Sequence, residues 1–410
     1  MSVVNTYKKI SNIPRRILLF YQWHRFTSMI HTETWRLHDE ILSWASQMSK
    51  ESNANETENL YKESDDCIVT QGIRLVKEVK SEFANCCKDK LDLRLLIHLP
   101  PFKLSPGGFS LFNNLIKAMQ FIGLNARALE WHEDIADVLK DFKPTFFLTS
   151  DSEAYLARIN WIALRRYRKH HNLKLGLTAS PEEFGNTPLD PRLKWAKKNR
   201  VDFYYSFHSN ENLRLRSAYK PFFNDGYRIL SVEFGANPLL YYPVPSIERD
   251  LNYVFLASSN SEKRPRYFQY LDSIFRNSPG FIDGPGWPHI SQWAENKVHR
   301  YLYARAKVGI NLHVPNSIEW PSELNERTYI LAACGVPQLV DAALLLPERF
   351  SNKCFFVASN PKEYSELFYY IINNPLDAKR RALQAQKEVF EKHTCFHRAK
   401  HFASQLKEII

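Results

Sequence analysis

Residues 93–123 read LRLLIHLPPFKLSPGGFSLFNNLIKAMQFIG, and they contain a buried strand, a glycine turn and a helix in immediate succession. The run at 93–99 is apolar enough for a strand that is covered on both faces. Gly107 and Gly108 permit a tight turn, and the apolar spacing that follows, up to Gly123, fits a helix. This order predicts a parallel sheet whose strands are connected by helices.

The same alternation of strand-like and helix-like segments continues along the chain. Further strands are predicted at 126–130, 144–150, 173–179, 201–207 and 227–234. After a proline-rich bridge at 237–250 the pattern restarts, with segments at 251–257 (strand), 264–275 (helix), 280–287 (strand), a long helix to about Lys307, and 308–314 (strand). The sequence therefore predicts an α/β protein with two Rossmann-like domains that face a cleft.

The chain is divided into four parts by these patterns. We predict a helical, partly disordered N-terminal extension (1–90), a first Rossmann-like domain (91–245), a second one (246–392) and a closing C-terminal helix (393–410). The disorder is predicted at 47–66, where the composition is too polar to support a packed core.

The formal net charge of +11 favours an anionic ligand or surface. Basic residues cluster at 7–16 and 164–171, but no nucleic-acid-binding module accompanies them, so we predict no nucleic-acid partner. The six cysteines lack metal-ligand spacing and are predicted to be reduced. Without a long apolar run or a signal peptide, we expect a cytoplasmic protein, positioned at the inner face of a membrane.

Ligands bind at the carboxyl ends of the strands in open parallel sheets, so we searched those positions for chemistry. The candidates for general base, which the sequence does not rank, are His208, Asp151, Glu182 and Glu183. The glycine turn of the first domain, with Gly107, Gly108 and Phe109, is predicted to approach the acceptor or a phosphate group. An ordinary turn or a surface histidine would explain the same residues structurally.

The second domain holds the candidates for binding a nucleotide diphosphate. They are cations beyond a strand end, a glycine turn with an aromatic plane, and polar residues at a helix start: Lys263, Arg264, Arg266, Gly284, Gly286, Trp287, Asn325 and Arg327. The alternatives are a solvent-exposed basic helix turn, a tryptophan in the core and a surface ion pair between Glu323 and Arg327.

Five motifs occur in the order seen in glycosyltransferases with the GT-B fold. They are VEFGANPLLYYPV (232–244), FLASSNSEKRPRYFQYL (255–271), IDGPGW (282–287), YARAKVGINLHV (303–314) and LNERTYILAACGVPQLVD (324–341). The chain resembles this family over about residues 91–410, and most closely the branch that shares its C-terminal half with CgeB-type proteins. The resemblance implies transfer of a sugar from a nucleotide-sugar donor, bound by the second domain, to a glycan or lipid-linked acceptor in cell-surface polysaccharide synthesis.

The chain departs from the family at one motif. Retaining members of the broader family carry two glutamates eight positions apart, and the corresponding positions here are Ser322 and Ile330. We therefore assign the ribose contact to the neighbouring Glu323. The sequence DSE at 151–153 does not fit a metal-binding D-x-D motif, so we expect a metal-independent enzyme without a cofactor. A catalytically silent scaffold that binds nucleotide or glycan, and a sugar-nucleotide epimerase, are the alternatives.

The N-terminal segment mixes arginine with aromatic and aliphatic residues. Residues 13–26, IPRRILLFYQWHRF, fit a helix that lies in a membrane interface, and also a helix that is packed on the first domain. We expect this segment to attach the protein and not to take part in catalysis. A chain that starts near Lys88 should then retain the donor site.

Overall fold

The computed structural model describes residues 13–54, 66–181 and 188–410. Of the disorder predicted at 47–66, residues 47–54 are instead the end of a helix, and residues 55–65 lie outside the described residues. In the described part of the chain, four helices precede the first sheet: α1 (Ile13–Ser28), α2 (Thr32–Arg36), α3 (His38–Ala54) and α4 (Cys67–Phe83).

The first domain contains a parallel sheet with the strand order β2-β1-β3-β4-β5-β6. Its strands are β1 (Arg94–Leu99), β2 (Asn125–Glu130), β3 (Phe146–Thr149), β4 (Lys174–Thr178), β5 (Phe203–Ser206) and β6 (Ile229–Ser231). Its helices are α5 (Pro106–Phe121), α6 (Ile135–Phe142), α7 (Glu153–Leu156), α8 (Trp161–His170), α9 (Leu189–Lys198), α10 (Asn210–Leu215) and α11 (Lys220–Asn224), with a 3₁₀ turn at Ser217–Tyr219.

The second domain contains a parallel sheet with the order β11-β10-β9-β7-β8. Its strands are β7 (Leu251–Leu256), β8 (Phe281–Asp283), β9 (Ala306–Asn311), β10 (Gln338–Asp341) and β11 (Phe356–Ala358). Its helices are α12 (Arg264–Asn277), α13 (His299–Ala304), α14 (Pro315–Glu319), α15 (Glu326–Ala333), α16 (Leu346–Arg349), α17 (Pro361–Asn373) and α18 (Pro375–Lys392), and α19 (Cys395–Lys407) follows.

The predicted fold class is confirmed, because two parallel sheets with helical connections face each other across a cleft. In each sheet the strand order reverses once: strands are first added on one side of the initial strand and then on its other side. The reversal lies between β1 and β3 in the first sheet and between β7 and β9 in the second. The loops on either side of such a point diverge and leave a crevice at the carboxyl ends of the strands. The two crevices form the cleft between the domains.

The long helix predicted up to Lys307 is wrong. The structure has only the short helix α13 there, and residues 284–298 are mainly turns and irregular backbone. The reason is tertiary: the carboxylate of Asp283 accepts a hydrogen bond from the backbone amide of Ala294 at 2.7 Å. This bond draws the segment into the wall of the cleft.

The N-terminal helices pack mainly on the second domain, and Phe83 at the end of α4 also contacts Phe396 of α19. Trp23 and Phe26 of α1 and Ile30, just after the helix, are buried in the core of the second domain, and the ring of Trp23 lies 5.0 Å from that of Trp287. Helix α3 packs on α13, and α4 packs on α18. The extension is therefore an integral layer of the second domain.

Two of the chain's crossings between the domains, one near residue 236 and one near residue 394, touch each other. The amide of Ala236 donates to the carbonyl of His393 at 3.0 Å, and the amide of Cys395 donates to the carbonyl of Ala236 at 2.7 Å. A Cβ at Gly235 would lie 2.7 Å from the carbonyl carbon of Thr394, so only glycine fits there. After the second crossing α19 packs on α5, which returns the C-terminal helix to the first domain.

Candidate functional site

A cavity of about 340 Å³ lies between the facing carboxyl ends of the two sheets. The first domain contributes the start of α5 and the loop before it, including Phe102, Gly107 and Ser110. The second domain contributes the ends of β7 and β8 and the start of α15, through Leu256, Ala257, Ser258, Lys263, Asp283, Gly284, Asn325, Glu326, Arg327 and Ile330. The cavity therefore joins both switch points of the fold.

The first domain presents the N-terminus of α5 to this cavity. Ser105 caps the helix, and its hydroxyl accepts a hydrogen bond from the amide of Gly108 at 3.3 Å. A Cβ at Gly107 would meet no atom within 4 Å, so the backbone is open to a ligand at this position. The ring of Phe109 packs against that of Phe102 at 5.7 Å. The free amides and the dipole of α5 favour an anion there.

Two cations of the second domain line the cavity at the end of β7. The Nζ of Lys263 donates to the hydroxyl of Ser258 at 2.9 Å, and burial together with the charge of Arg327 lowers the pKa of Lys263 to about 8. The Nε of Arg327 donates to the carbonyl of Leu256 at 3.0 Å, and its guanidinium lies over the ring of Phe255. Both positive charges therefore lie at the site where the sequence predicted that a nucleotide diphosphate binds.

Asn325 caps α15, and its side chain is engaged within the second domain. Its Oδ1 accepts from the amide of Thr328 at 3.1 Å, and its Nδ2 donates to Oδ1 of Asn311 at 2.8 Å. Ile330, one turn further along the helix, presents an apolar side chain to the cavity. The start of α15 is thus rigidly placed at the cleft, as the sequence predicted.

Glu326 connects the two domains inside the cleft, and the sequence reasoning missed it. Its carboxylate accepts hydrogen bonds from Nδ2 of Asn114 at 2.7 Å and from the hydroxyl of Ser110 at 3.2 Å. Burial raises the pKa of Glu326 to about 6. A signal for it was present, because Glu326 is an acidic residue in the first turn of the helix that was predicted to face the cleft.

Asp283, at the end of β8, is a second carboxylate that was missed. It is buried, and besides the amide of Ala294 it contacts Nε2 of His38 at 3.1 Å. His299 also lines the cavity, and burial lowers the pKa of its imidazole. The signal was the position of Asp283 directly before the glycine turn at 284–286.

The glycine turn at 284–286 fits closely against the end of β7. Gly284 has φ of +131°, and a Cβ there would lie 2.6 Å from the carbonyl oxygen of Ala257. Gly286 also has a positive φ, of +87°. Trp287 is buried in the core, where its Nε1 donates to the carbonyl of Ala257 at 2.7 Å and its ring stacks on Tyr267. Its indole therefore does not form a wall of the cavity.

Arg264 and Arg266 make structural contacts and do not line the cavity. The guanidinium of Arg264 lies 4.5 Å from the ring centre of Trp23, and its Nε donates to the carbonyl of Ser259. Arg266 pairs with the buried carboxylate of Asp341 at 2.6 Å. Of the three cations predicted at 263–266, the structure brings only Lys263 to the cleft.

The predicted general bases that the structure describes do not line the cavity. Nδ1 of His208 lies 3.2 Å from Oε2 of Glu323, across the domain interface but outside the cavity lining. Asp151 forms a buried ion pair with Arg192 and accepts a hydrogen bond from the hydroxyl of Thr178 at 2.9 Å; burial raises its pKa. Glu182 and Glu183 lie outside the described residues.

Among the described residues, no group of three or more histidine, cysteine or acidic side chains has the arrangement of a metal site. All six cysteines are free thiols, as predicted. No helix within the described ranges is long and apolar enough to cross a membrane.

Comparison with known proteins supports the fold and the resemblance. Residues 268–404 match the family model described as "Glycosyl transferase-like". No curated protein sequence is detectably similar to the chain.

Solved structures with the same architecture include T4 phage BGT in complex with UDP and Mn²⁺, which is 12% identical with a TM-score of 0.51 over 77% of this chain and 99% of that chain. Another is Anabaena HepE in complex with UDP and glucose, also 12% identical, with a TM-score of 0.50 over 77% of this chain and 100% of that chain. The chain therefore has the GT-B fold, as the sequence predicted, and the closer resemblance to the CgeB-type branch stays a prediction.

Proposed function

We propose that the protein is a glycosyltransferase that moves a sugar from a nucleotide-sugar donor, of the uridine diphosphate type, to a glycan or lipid-linked acceptor in cell-surface polysaccharide synthesis. The observation that carries the proposal is the cleft itself. There Lys263 and Arg327 of the second domain face the N-terminus of α5 at Gly107. The family match and the uridine diphosphate bound in T4 phage BGT and in HepE support it.

In this proposal Lys263 and Arg327 neutralise the diphosphate. They are held by hydrogen bonds to Ser258 and to the carbonyl of Leu256, so little side-chain freedom is lost when the ligand binds. The start of α5 then faces the leaving phosphate or the sugar with free backbone amides. Together these groups stabilise the negative charge that develops on the diphosphate as the glycosidic bond breaks.

Glu326 is the carboxyl that we assign to proton transfer. It lies at the cavity between the donor-binding helix and the first domain, where an acceptor hydroxyl would approach. A carboxyl group whose pKa is about 6 can exchange a proton near neutral pH. Transfer by this route needs neither a cofactor nor a metal ion, and metal independence is part of the proposal.

A lipid-linked acceptor would be reached most easily by an enzyme at the membrane surface, and α1 offers a suitable contact. Ile17, Leu18, Phe20 and Tyr21 form an exposed apolar face, with the exposed Arg25 on the same helix. Apolar and basic residues together fit the interface of an anionic bilayer. We propose that this face rests on the cytoplasmic leaflet.

The donor proposal is tested by thermal shift and calorimetry of the full chain with UDP, GDP and ADP. A nucleotide at about 100 times its dissociation constant adds about 2.7 kcal/mol to stability. We expect UDP to give the largest shift, and a nucleotide sugar to be consumed only when an acceptor is present. No binding of any nucleoside diphosphate would overturn the proposal, whereas binding without consumption would favour the silent scaffold.

The membrane proposal is tested by co-sedimentation with vesicles. We expect binding to vesicles of phosphatidylglycerol and not to vesicles of phosphatidylcholine, and loss of binding in the double variant Leu18→Ser, Phe20→Ser. The control is Leu376→Ser on α18, which replaces an exposed leucine of the second domain. Equal sedimentation of all three proteins would refute the contact.

A further inference from the structure

We infer that His38, in the N-terminal extension, is a positioning residue of the donor cleft. Its imidazolium neutralises the carboxylate of Asp283 and fixes the wall of the cleft that follows β8. The expected effect on donor affinity rests on the proposed function. The pairing of His38 with Asp283 can be tested without any ligand.

The contacts of His38 define its protonation state. Its Nε2 lies 3.1 Å from Oδ1 of Asp283, and its Nδ1 lies 3.1 Å from Oδ1 of Asp39. An ionised carboxylate only accepts hydrogen bonds, so both contacts are hydrogen bonds only when each ring nitrogen carries a proton, which makes the ring an imidazolium. Burial opposes this charge, yet the hydrogen bonds to Asp283 and Asp39 outweigh it and raise the pKa of His38.

The ring of His38 is held in one orientation. It stacks on the ring of Phe281 with a centroid distance of 5.0 Å and an angle of 4° between the planes. His38 is the first residue of α3, and that helix packs on α13 at the base of the cleft. The position of the imidazolium is therefore set by the packing of the extension on the second domain.

Asp283 transmits this position to the cleft. Its Oδ1 faces His38 and its Oδ2 accepts from the amide of Ala294, and both Asp283 and Ala294 line the cavity. An unneutralised carboxylate at this place would repel a diphosphate held by Lys263 and Arg327. With His38 charged, Asp283 can hold the wall of the cleft without that repulsion.

Other charged groups surround Asp283 and His38. Asp39 is fully exposed at the start of α3, and His299 of α13 interacts electrostatically with Asp283. Lys263, Glu326 and Arg327 face the same cavity. Burial lowers the pKa of His299, whereas the pKa of His38 is raised, so His299 loses its proton at a lower pH than His38 does. We therefore expect donor affinity to decrease as the pH rises through the raised pKa of His38.

The variants His38→Gln, His38→Ala, Asp283→Asn and His38→Gln with Asp283→Asn separate charge from packing. Glutamine keeps a hydrogen-bond donor near the position of Nε2 but carries no charge. We expect His38→Gln to bind UDP about tenfold more weakly than the wild type at slightly acidic pH, and to lose part of the pH dependence. In the Asp283→Asn background the same change should have little effect.

A purely structural role for His38 predicts a different result. Its variants would then unfold at lower temperature but would bind UDP with the affinity and the pH profile of the wild type. Lys263 also titrates, but it is present in every variant, so its effect on the pH profile is common to all of them. If calorimetry then shows the affinity and pH profile of the wild type in the His38 variants, the inference is overturned.

A ligand-free measurement separates this inference from the proposed function. In ¹H–¹⁵N spectra of the full chain, both ring nitrogens of His38 should be protonated at neutral pH, and Asp283→Asn should lower the pKa of the ring. If UDP fails to bind to the wild type while these signals appear, the proposed function fails and the pairing stands. A neutral His38 at neutral pH overturns the inference whatever the ligand does.

Discussion

Nδ1 of His208 lies 3.2 Å from Oε2 of Glu323, and this contact joins the first domain to the second beside the cleft. Next to it the amide of Ser209 donates to the carbonyl of Ser322 at 2.7 Å, so the two loops are also connected through their backbones. Neither side chain lines the cavity. The pair therefore ties the domains together at the flank of the site.

We predict that Glu323→Gln retains donor affinity, whereas Arg327→Ala loses it. The pair with His208 is partly exposed, so its removal should lower stability by about 1 kcal/mol or less. Arg327 faces the cavity, and a lost charge-assisted hydrogen bond to phosphate should weaken UDP binding by about 10- to 100-fold. Calorimetry of both variants checks this, and the reverse order of effects would return Glu323 to the donor site.

Lys263→Met should weaken UDP binding by about 10- to 100-fold. The ammonium group of Lys263 is charged below its pKa of about 8, so its contribution to affinity is present at lower pH and is lost as the pH rises through that value. The difference in affinity between the wild type and the variant should therefore narrow in alkaline buffer. Lys362→Met, which changes a highly exposed lysine on α17, is the matched control and should behave as the wild type does.

Glu326→Gln should lower the rate of sugar transfer by about 10²- to 10⁴-fold with a much smaller effect on donor affinity, if proton transfer is its role. The folded-state pKa of Glu326 is raised, to about 6, so its contribution to stability is present below the unfolded-state pKa and is lost as the pH rises through the folded-state value. The stability of the wild type relative to Glu326→Gln should accordingly fall between mildly acidic and neutral pH. If the difference in stability between the wild type and Glu326→Gln does not change with pH, the carboxyl group of Glu326 is not protonated in this range.

Phe26→Ala should destabilise the protein by about 3–5 kcal/mol, because it leaves a cavity between α1 and the core of the second domain. Phe20→Ala on the same helix is the control. Phe20 is 60% exposed and Phe26 is 5% exposed, so Phe20→Ala should have little effect on denaturant unfolding.

A chain that starts near Lys88 should fold poorly, contrary to the expectation from the sequence. If such a chain is stable and binds UDP, α1 is dispensable to the domain.

The architecture could be predicted because its signals are local. Each strand is a short apolar run and each turn carries its own glycine or polar residue, so the order of elements follows from the chain itself. The rule that ligands bind at strand ends also located Gly107, Lys263, Asn325 and Arg327 at the cleft. The strand β11, Phe356–Ala358, was not predicted.

The rest depended on contacts between distant residues. His38 and Asp283 are 245 positions apart, and nothing near either of them indicates the other. Arg264 and Arg266 carry the pattern of phosphate ligands, but a tryptophan of α1 and a buried aspartate take up their guanidinium groups. A tryptophan after a glycine turn looks the same in sequence whether it stacks on a base or, as Trp287 does, fills a core.

The paired crossings at Ala236 and Thr394 have a consequence for cutting the protein into pieces. The second domain includes α1 to α4 from the beginning of the chain, and the first domain includes α19 from its end. A recombinant fragment of residues 246–392 would therefore expose the apolar surface that α1 and α4 cover, and a fragment of residues 91–245 would expose the surface beneath α19. Each half can be produced intact only by joining segments that the gene keeps far apart.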